Sequence, residues 1–472
     1  MIIENGQLLA KWHNDMQRRE LAEMYLDFYR GVYREYLQEI IGGMMSYQDA
    51  KELIKYIETE GTTPRLINDI SLIFAEEPEI EIEGSDKTQE AFNDILQGID
   101  INILLENLNK YVELLRDVAV VPFRTGNPEK PVKLRIITPE KCFVDQDEND
   151  PTEFVRFYYQ VGVMENTVTR NRIDLYDCWE APGIEGKDGN ISDYARKFNC
   201  EVNDRGKIIP ESIKYYEDAP KYEEMPVVMF RDYLPDDSVW YKGNSLIVDK
   251  SIAIDLRRTD LAMAEAYNIP QLVTIGMDAE NHKELKKGRA LFLNIPPSLG
   301  GKLGDAKYVN PEEALDELRG LIHDRYEKMA MAHGLSKANI SGENATSGYH
   351  LALSMQRILD INRRKRKYYT SPIQKMLRLV LFLYKEAGIY NIAGDISINY
   401  GELHFAESEL DRERAWALRF NNGTANLVDY ELATDPDLVT REEALERVQG
   451  RQAENAKLQP DELTVALAEV EE

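Results

Sequence analysis

The sequence has few of the residues from which metal and nucleophilic sites are usually built. Its 472 residues include only three cysteines and six histidines. Neither type shows the CxxC or HExxH spacing of a metal centre. Cys142, Cys178 and Cys200 are scattered, which argues against a disulfide framework and fits a reducing compartment. We therefore expect no metal site and no structural disulfide.

Long hydrophobic runs are also absent. The longest strongly apolar run, LRLVLFLY from Leu377, is too short to cross a bilayer. The opening residues, MIIENGQLLAKWHNDM, lack a basic start followed by an apolar core, so we expect no signal peptide. With 43% apolar and 30% charged residues, the composition is typical of a folded protein without membrane contact. The length favours several domains or one extended subunit.

Positive charge is in deficit, because the formal net charge is −27. Such a balance opposes tight binding to nucleic acid, although it allows a protein to touch DNA without gripping it. Basic residues cluster in KELKKGR, from Lys283, and in NRRKRKYY, which holds Arg363–Lys367. Each cluster is either a solvated or salt-bridged face or a contact with a phosphate backbone. The sequence leaves both interpretations open.

Catalytic and nucleotide-binding motifs fail on spacing. The nearest match to a phosphate loop, PPSLGGKLG, has Pro296 in place of the glycine and Leu303 in place of the hydroxyl residue. The stretch DQDENDPTEFVR begins like a calcium loop, but Asp150 and Arg156 occupy the glycine and glutamate positions. It is therefore predicted to be an acidic turn between strands. A D-x-K triplet at Asp305 is common by chance, so we assign no catalytic residue and no cofactor and expect no enzyme.

Hydrophobic periodicity predicts a mixed α+β fold. Helices are expected up to about residue 60, and strands dominate from about Pro131 to Arg231. A helix over 244–268 and another over 311–334 are predicted to be roughly 35 Å long and to flank a short β segment. The second has a complete start signal around Asn310 and can end at Gly334.

A polar, glycine-containing stretch, HGLSKANISGENATSGYHLAL, follows the second of these helices. A long helix is predicted after it, then a strand in DISINYGELHF and a helix in TREEALERVQG. Thr440 and Glu443 are spaced as a capping box at the start of that last helix. The polar stretch is either a functional hinge or a plain surface turn between helices.

The order of these parts resembles the portal proteins of tailed bacteriophages. MPVVMFRDYLPDDSVWYKGNSLIVDKSIAIDLRRTDLAMAEAYNIPQLVTIG is similar to the family's passage from wing domain to stem helix. GENATSGYHLALSM, with Gly342, Ser347 and Gly348, resembles the start of the long wing helix. ITPEKCFVDQDENDPTEFVRFYY is similar to wing strands around an acidic turn. Each of these sequence segments alone has low specificity, and their order along the chain carries the resemblance. The resemblance covers about residues 15–450.

The resemblance implies an elongated subunit with an α/β wing, a two-helix stem, a small β clip, a tunnel loop and a helical crown. It divides the chain into wing 1–243, stem helix 244–268, clip 269–310, stem helix 311–334, tunnel loop 335–348, long helix and return strand 349–405, and crown with acidic tail 406–472. Members of the family form rings of about a dozen subunits at one capsid vertex. Double-stranded DNA passes through the channel during packaging and ejection.

The implied partners are further copies of the chain, double-stranded DNA, the terminase large subunit, a head–tail adaptor, and capsid and scaffold proteins. The implied location is the virion, after assembly in the host cytoplasm. The tunnel-loop residues implied to face DNA are Lys337, Asn339, Ser341, Gly342, Glu343, Asn344, Thr346 and Ser347. The implied basic contacts of the clip are Lys283, Lys286, Lys287, Arg289 and Lys302. The alternatives are a nucleic-acid-processing enzyme and another virion structural protein, such as an adaptor.

Overall fold

The computed structural model describes most of the chain in fourteen stretches. These are residues 17–127, 130–165, 172–202, 208–243, 245–267, 271–275, 292–295, 305–309, 315–335, 348–401, 416–417, 419–420, 426–434 and 440–451. About 51% of the structure is helical and 20% is strand, so the predicted α+β class is confirmed.

The helices follow the predicted order. In chain order they are α1 (17–30), α2 (Arg34–Met44), α3 (Tyr47–Leu53), α4 (Thr62–Ile70), α5 (Asp86–Gly98), α6 (Ile101–Leu115), α7 (Leu246–Tyr267), α8 (Leu315–Ala332), α9 (Gly348–Glu386), α10 (Leu427–Thr434) and α11 (441–451). The helices predicted over 244–268 and 311–334 are thus present as α7 and α8. The predicted start of α8 at Asn310 lies outside the described residues.

The strands form four sheets. Their bounds are β1 (Glu79–Ile82), β2 (Val118–Arg124), β3 (Val132–Ile137), β4 (Cys142–Gln146), β5 (Phe154–Glu165), β6 (Arg172–Glu180), β7 (Arg196–Val202), β8 (Ile208–Tyr215), β9 (Val228–Phe230), β10 (Gln271–Ile275), β11 (Phe292–Ile295), β12 (Asp305–Val309) and β13 (Ile396–Asn399). The sheet orders are β1-β13, β3-β2-β9, β4-β5-β6-β7-β8 and β11-β10-β12.

The five-stranded sheet is an antiparallel meander, because each strand pairs antiparallel with the next strand along the chain. Its first turn is the acidic stretch predicted as an ordinary connection. There the Asn149 N–H donates to Asp147 Oδ1 at 2.7 Å, and the Thr152 N–H donates to Asp150 Oδ1 at 2.9 Å. Short-range bonds of this kind are typical of Asx turns, so the prediction of an acidic turn is confirmed.

The main core lies between the β3-β2-β9 sheet, helices α5 and α6, and the second half of α9. Apolar residues recur at helical spacing along α6, and Leu105, Leu108 and Val112 are fully buried. Tyr369 and Met376 of α9 are also fully buried in this core. Burial of each such side chain contributes roughly 1.5–3 kcal/mol. A smaller core covers one face of the five-stranded meander.

The chain divides into two compact units. The first comprises Met1–Ile340 and Arg357–Leu403, and the second comprises Ser341–Gln356 and His404–Glu472. In the second unit the Thr440 N–H donates to Glu443 Oε2 at 3.2 Å, and the Glu443 N–H donates to Thr440 Oγ1 at 3.4 Å. These reciprocal bonds confirm the predicted capping box.

Candidate functional site

Helices α7 and α8 form an antiparallel pair, and the β11-β10-β12 sheet lies between them in the chain. The end of α7 contacts the beginning of α8. There Arg319 Nη2 donates a hydrogen bond to Glu265 Oε1 at 2.7 Å. Within the sheet, β10 pairs in parallel with β11 and antiparallel with β12. The predicted β segment between two helices is therefore a compact three-stranded sheet.

The two helices bury only part of their surface in one copy of the chain. Along α8 the buried positions are Ile322, Glu327, Met329 and Ala330, whereas Leu321 on the same helix is 42% exposed. In the second half of α7, residues 260–264 are all only half-buried. Apolar side chains on helices normally face a core, so this pair offers surface that one copy leaves uncovered.

The first half of α7 is held by a buried carboxyl group. Asp255 is fully buried and accepts a hydrogen bond of 2.8 Å from the hydroxyl of Tyr33, at the start of α2. The same hydroxyl accepts a bond of 3.4 Å from the Gly61 N–H. Burial raises the pKa of Asp255 to about 6, although the hydrogen bond from Tyr33 opposes the shift. A polar contact therefore joins α7 to the N-terminal helices inside the core.

The end of α8 is fixed by Gly334. Its φ of +95° lies in the region that favours glycine. The Leu335 N–H donates to the Ala330 carbonyl and the Gly334 N–H to that of Met331, each at 3.1 Å. The predicted termination at Gly334 is confirmed, and the pattern resembles a Schellman cap. A Cβ at Gly334 would lie 2.7 Å from Ile361 Cδ1, so α8 ends against α9.

A buried cluster of charged residues lies close to this helix end. Glu113 and Asp232 are paired with Lys365 of α9, and Asp232 is also 2.9 Å from Arg116 Nη1. Burial raises the pKa of Glu113, although Lys365 opposes the shift. Burial together with Lys365 and Arg116 lowers the pKa of His333, which favours its neutral form. The cluster links α6, the segment after β9 and α9.

Another buried acidic residue, Asp117, lies just after the end of α6. Asp117 Oδ1 accepts bonds of 2.8 Å from both Arg231 Nε and the Tyr233 hydroxyl, and Asp117 Oδ2 accepts one of 2.7 Å from the Tyr241 N–H. Burial raises the pKa of Asp117, with Arg231 opposing the shift. A buried carboxylate with this many donors orders the segment that leads into α7.

The residues of the basic run Arg363–Lys367 point in different directions from α9, so some are half-buried and others are exposed. Lys365 is paired with buried acids, and Arg366 Nη2 donates to the Gly401 carbonyl at 2.7 Å. Arg363 lies 3.4 Å from Asp360, while Arg364 and Lys367 are exposed. The salt-bridged interpretation therefore holds for Arg363 and Lys365, and a phosphate contact by the whole run is excluded.

The residues implied to contact DNA or the packaging motor are not among those that the structure describes. The tunnel-loop set, Lys337, Asn339, Ser341, Gly342, Glu343, Asn344, Thr346 and Ser347, lies outside the described residues, as does the clip set, Lys283, Lys286, Lys287, Arg289 and Lys302. Asp305 and Lys307, of the D-x-K triplet, lie on β12 opposite Ile275 and Val273 of β10.

Sequence reasoning missed the buried polar groups. Asp255 falls on the buried stripe of α7 that also carries Val248, Ser251 and Thr259. The sequence did offer a signal for this group, because Asp255 is a charged residue at a position where the helical pattern predicts a core residue. In the part of the chain that the structure describes, no cluster of three or more potential metal ligands occurs, and no helix is long and apolar enough to cross a membrane.

Comparison with known proteins gives no family model and no curated protein that matches. Among solved structures, one similar chain comes from a structure described as the virion of a native gene transfer agent particle. The two chains share 13% identity with a TM-score of 0.43, over 81% of this chain and 91% of the other. A TM-score this low does not establish a shared fold, and the likeness carries no argument about function.

Proposed function

We propose that the chain is a portal subunit, which forms a closed ring with a channel for double-stranded DNA. The observation that carries the proposal is the antiparallel pair α7–α8, interrupted in the chain by a three-stranded sheet. The pair leads through Gly334 towards the predicted tunnel loop, and α9 returns into the core. This arrangement matches the stem, clip and wing helix implied by the sequence resemblance.

Incomplete burial of the helix pair supports assembly into a ring. Leu321 and Met331 of α8 are 42% and 39% exposed, and residues 260–264 of α7 are all only half-buried. In a closed ring each helix pair would gain a neighbour on both sides, which would cover these side chains. Apolar burial would then contribute about 25 cal/mol for each Å² removed from water.

The acidic balance supports a channel rather than a tight binding site. A bore that neutralised many phosphates would bind DNA with steep dependence on salt and would resist translocation. The ring would stand at one capsid vertex of a virion, after assembly in the host cytoplasm. We propose the terminase large subunit, a head–tail adaptor, and capsid and scaffold proteins as its partners.

We propose further that the chain has no catalytic activity of its own. The support comes from the sequence, in which the phosphate-loop, calcium-loop and zinc motifs each lack residues at required positions. A magnesium-dependent hydrolysis that follows the protein through purification and disappears in Asp305→Ala would contradict this proposal.

The ring is tested directly with the purified full chain. Light scattering across salt and pH, with negative-stain microscopy, is expected to give a closed ring of about a dozen subunits. Leu321→Asp, on the exposed face of α8, should weaken the ring, whereas Leu234→Asp, in a loop outside the helix pair, should not. A parent chain that stays monomeric at micromolar concentration under every condition would overturn the proposal.

A further inference from the structure

A cleft of about 610 Å³ lies between α6 and β3, away from the helix pair. This volume is within the range of specific ligand sites. Its two walls are a helical stripe and a run of consecutive strand residues: Ile103, Leu104 and Asn107 from α6, and Leu134, Arg135 and Ile136 from β3. The cleft belongs to the same sheet that supports the main core.

The cleft opens on the edge of β3 rather than on a face of the sheet. Side chains on a strand alternate between its two faces, so three consecutive lining residues present both faces and the backbone between them, as at a strand edge. Among the described strands, β3 pairs only with β2, through a register that includes Val120↔Ile136. The outer backbone groups of β3 therefore have no strand partner in the described part of the chain. An open edge of this kind accepts an added strand.

The walls combine apolar surface with positive charge. Ile103 is 64% exposed in the first turn of a helix whose other apolar face is buried. The cleft is also lined by Arg30, Arg135 and Lys141, all exposed. Its carboxylate, Asp100, is paired with Lys130 at 2.8 Å. A local excess of cations is unusual in a chain of net charge −27 and complements an acidic ligand.

We propose that this cleft binds an extended acidic peptide segment of a protein partner, which adds a strand to the open edge of β3. Backbone hydrogen bonds to β3 would hold the segment in register. Its alternate apolar side chains would pack on Ile103 and Leu104, and its carboxylates would meet Arg30, Arg135 and Lys141. The proposal goes beyond ring formation and holds whether or not the chain assembles.

Two alternative roles for these cations lead to different binding behaviour. Exposed cations on an edge strand can serve only to prevent edge-to-edge aggregation, in which case no peptide binds. A nucleic acid would also be drawn to these cations and to Tyr111 and Phe123, but it needs no backbone pairing with a strand. The test therefore has to separate strand pairing from charge attraction.

The probe is a fluorescein-labelled synthetic peptide of alternating glutamate and valine, measured by fluorescence anisotropy with the full chain. We expect saturable binding of this peptide. The same peptide N-methylated at every residue, which has no backbone N–H left on either edge to donate to β3, should lose binding. A lysine–valine peptide should not bind, and a short deoxythymidine oligonucleotide should not compete.

Exposed residues supply variants that should fold normally. Arg135→Glu should weaken peptide binding at least tenfold, which corresponds to about 1.4 kcal/mol, as expected for a lost charge-assisted hydrogen bond. Ile103→Glu should weaken it similarly, whereas Lys51→Glu on the exposed face of α3 should have no effect. Absence of saturable binding by the parent, or equal binding of the N-methylated peptide, would overturn the proposal. Tighter binding of the oligonucleotide than of the peptide would also overturn it.

Discussion

Replacement of the buried carboxyl group on α7 gives a prediction whose sign changes with pH. Asp255 is fully buried, and its Oδ2 accepts the Tyr33 hydroxyl at 2.8 Å. Its Oδ1 has no hydrogen-bond partner among the described residues. The charged groups around it, Glu60 and Arg258, are paired with each other. Burial of Asp255 is therefore opposed chiefly by the Tyr33 hydroxyl and to a smaller extent by the backbone of Glu60.

The magnitude follows from the raised pKa. Burial moves the pKa of Asp255 from 3.8 to about 6, so the folded state binds this proton more tightly than the unfolded state. The chain's stability should then fall as pH rises from about 4 to 6, and above pH 6 the full cost is about 3 kcal/mol. Below about pH 3 the group is protonated in both states and the cost disappears.

Asp255→Asn should remove this cost, because an amide does not ionise and can still accept from Tyr33. The amide nitrogen would occupy the place of Oδ1, where it lacks a partner, at a cost of about 1 kcal/mol. We therefore expect Asp255→Asn to be about 2 kcal/mol more stable than the parent at pH 7.5 and about 0.5 kcal/mol less stable at pH 4. Urea unfolding followed by tryptophan fluorescence measures both differences.

Two further variants make the measurement specific. Asp249→Asn, at an exposed position of the same helix, should run parallel to the parent across the pH range. Tyr33→Phe removes the hydroxyl donor, so it should destabilise the chain at pH 7.5 more than at pH 4. A constant difference between Asp255→Asn and the parent from pH 4 to 7.5 would refute the argument that burial perturbs this carboxyl group.

Three other variants test the end of the helix pair, the buried ion pairs and the hinge. Gly334→Ala should lower stability by about 2 kcal/mol or more in thermal unfolding, because φ is +95° and the added Cβ is crowded, whereas Gly320→Ala has open space and should raise it by about 0.5–1 kcal/mol. Lys365→Met should cost about 3–5 kcal/mol by leaving buried Glu113 without its ion-pair partner and Asp232 with Arg116 alone, and Lys367→Met, at an exposed position, should cost little; equal effects of the two would show that the pairing is unimportant. In the proposed portal, Gly342→Ala should leave rings intact but reduce DNA packaging or retention, and unchanged packaging would make the hinge a plain connector.

Elements with strong local signals were predictable from the sequence. The alternation of EIEI is a local strand signal, and in β1 the two isoleucines are buried and the glutamates are exposed. The capping box at Thr440 and the termination of α8 at Gly334 were predicted for the same reason. In the capping box and the helix end the stabilising contacts lie within a few residues of one another, so spacing alone specifies them.

The sheet partners and buried charges could not be predicted in this way. Strand β1 pairs with β13, whose partner residue Ile398 is more than three hundred positions from Ile80, and no local pattern encodes that choice. The basic run at Arg363–Lys367 resembled a surface patch, yet Lys365 enters the core. Its acidic partners come from α6 and from the segment after β9, so only the tertiary fold brings the opposite charges together.

Both buried polar clusters lie where the helix pair α7–α8 joins the core of the protein. Asp255 joins α7 to the N-terminal helices, while Lys365 and its acids lie beside the end of α8. Apolar helix contacts tolerate many side-chain exchanges at small cost, but a buried ion pair or carboxyl group is stable only with its partners in place. Hydrophobic residues of similar volume would stabilise the core at least as well. The polar groups therefore contribute most by fixing the direction in which the helix pair leaves the core. In the proposed ring, the helices of each subunit would depend on that direction to meet those of identical neighbours, because any angular error would be repeated around the ring.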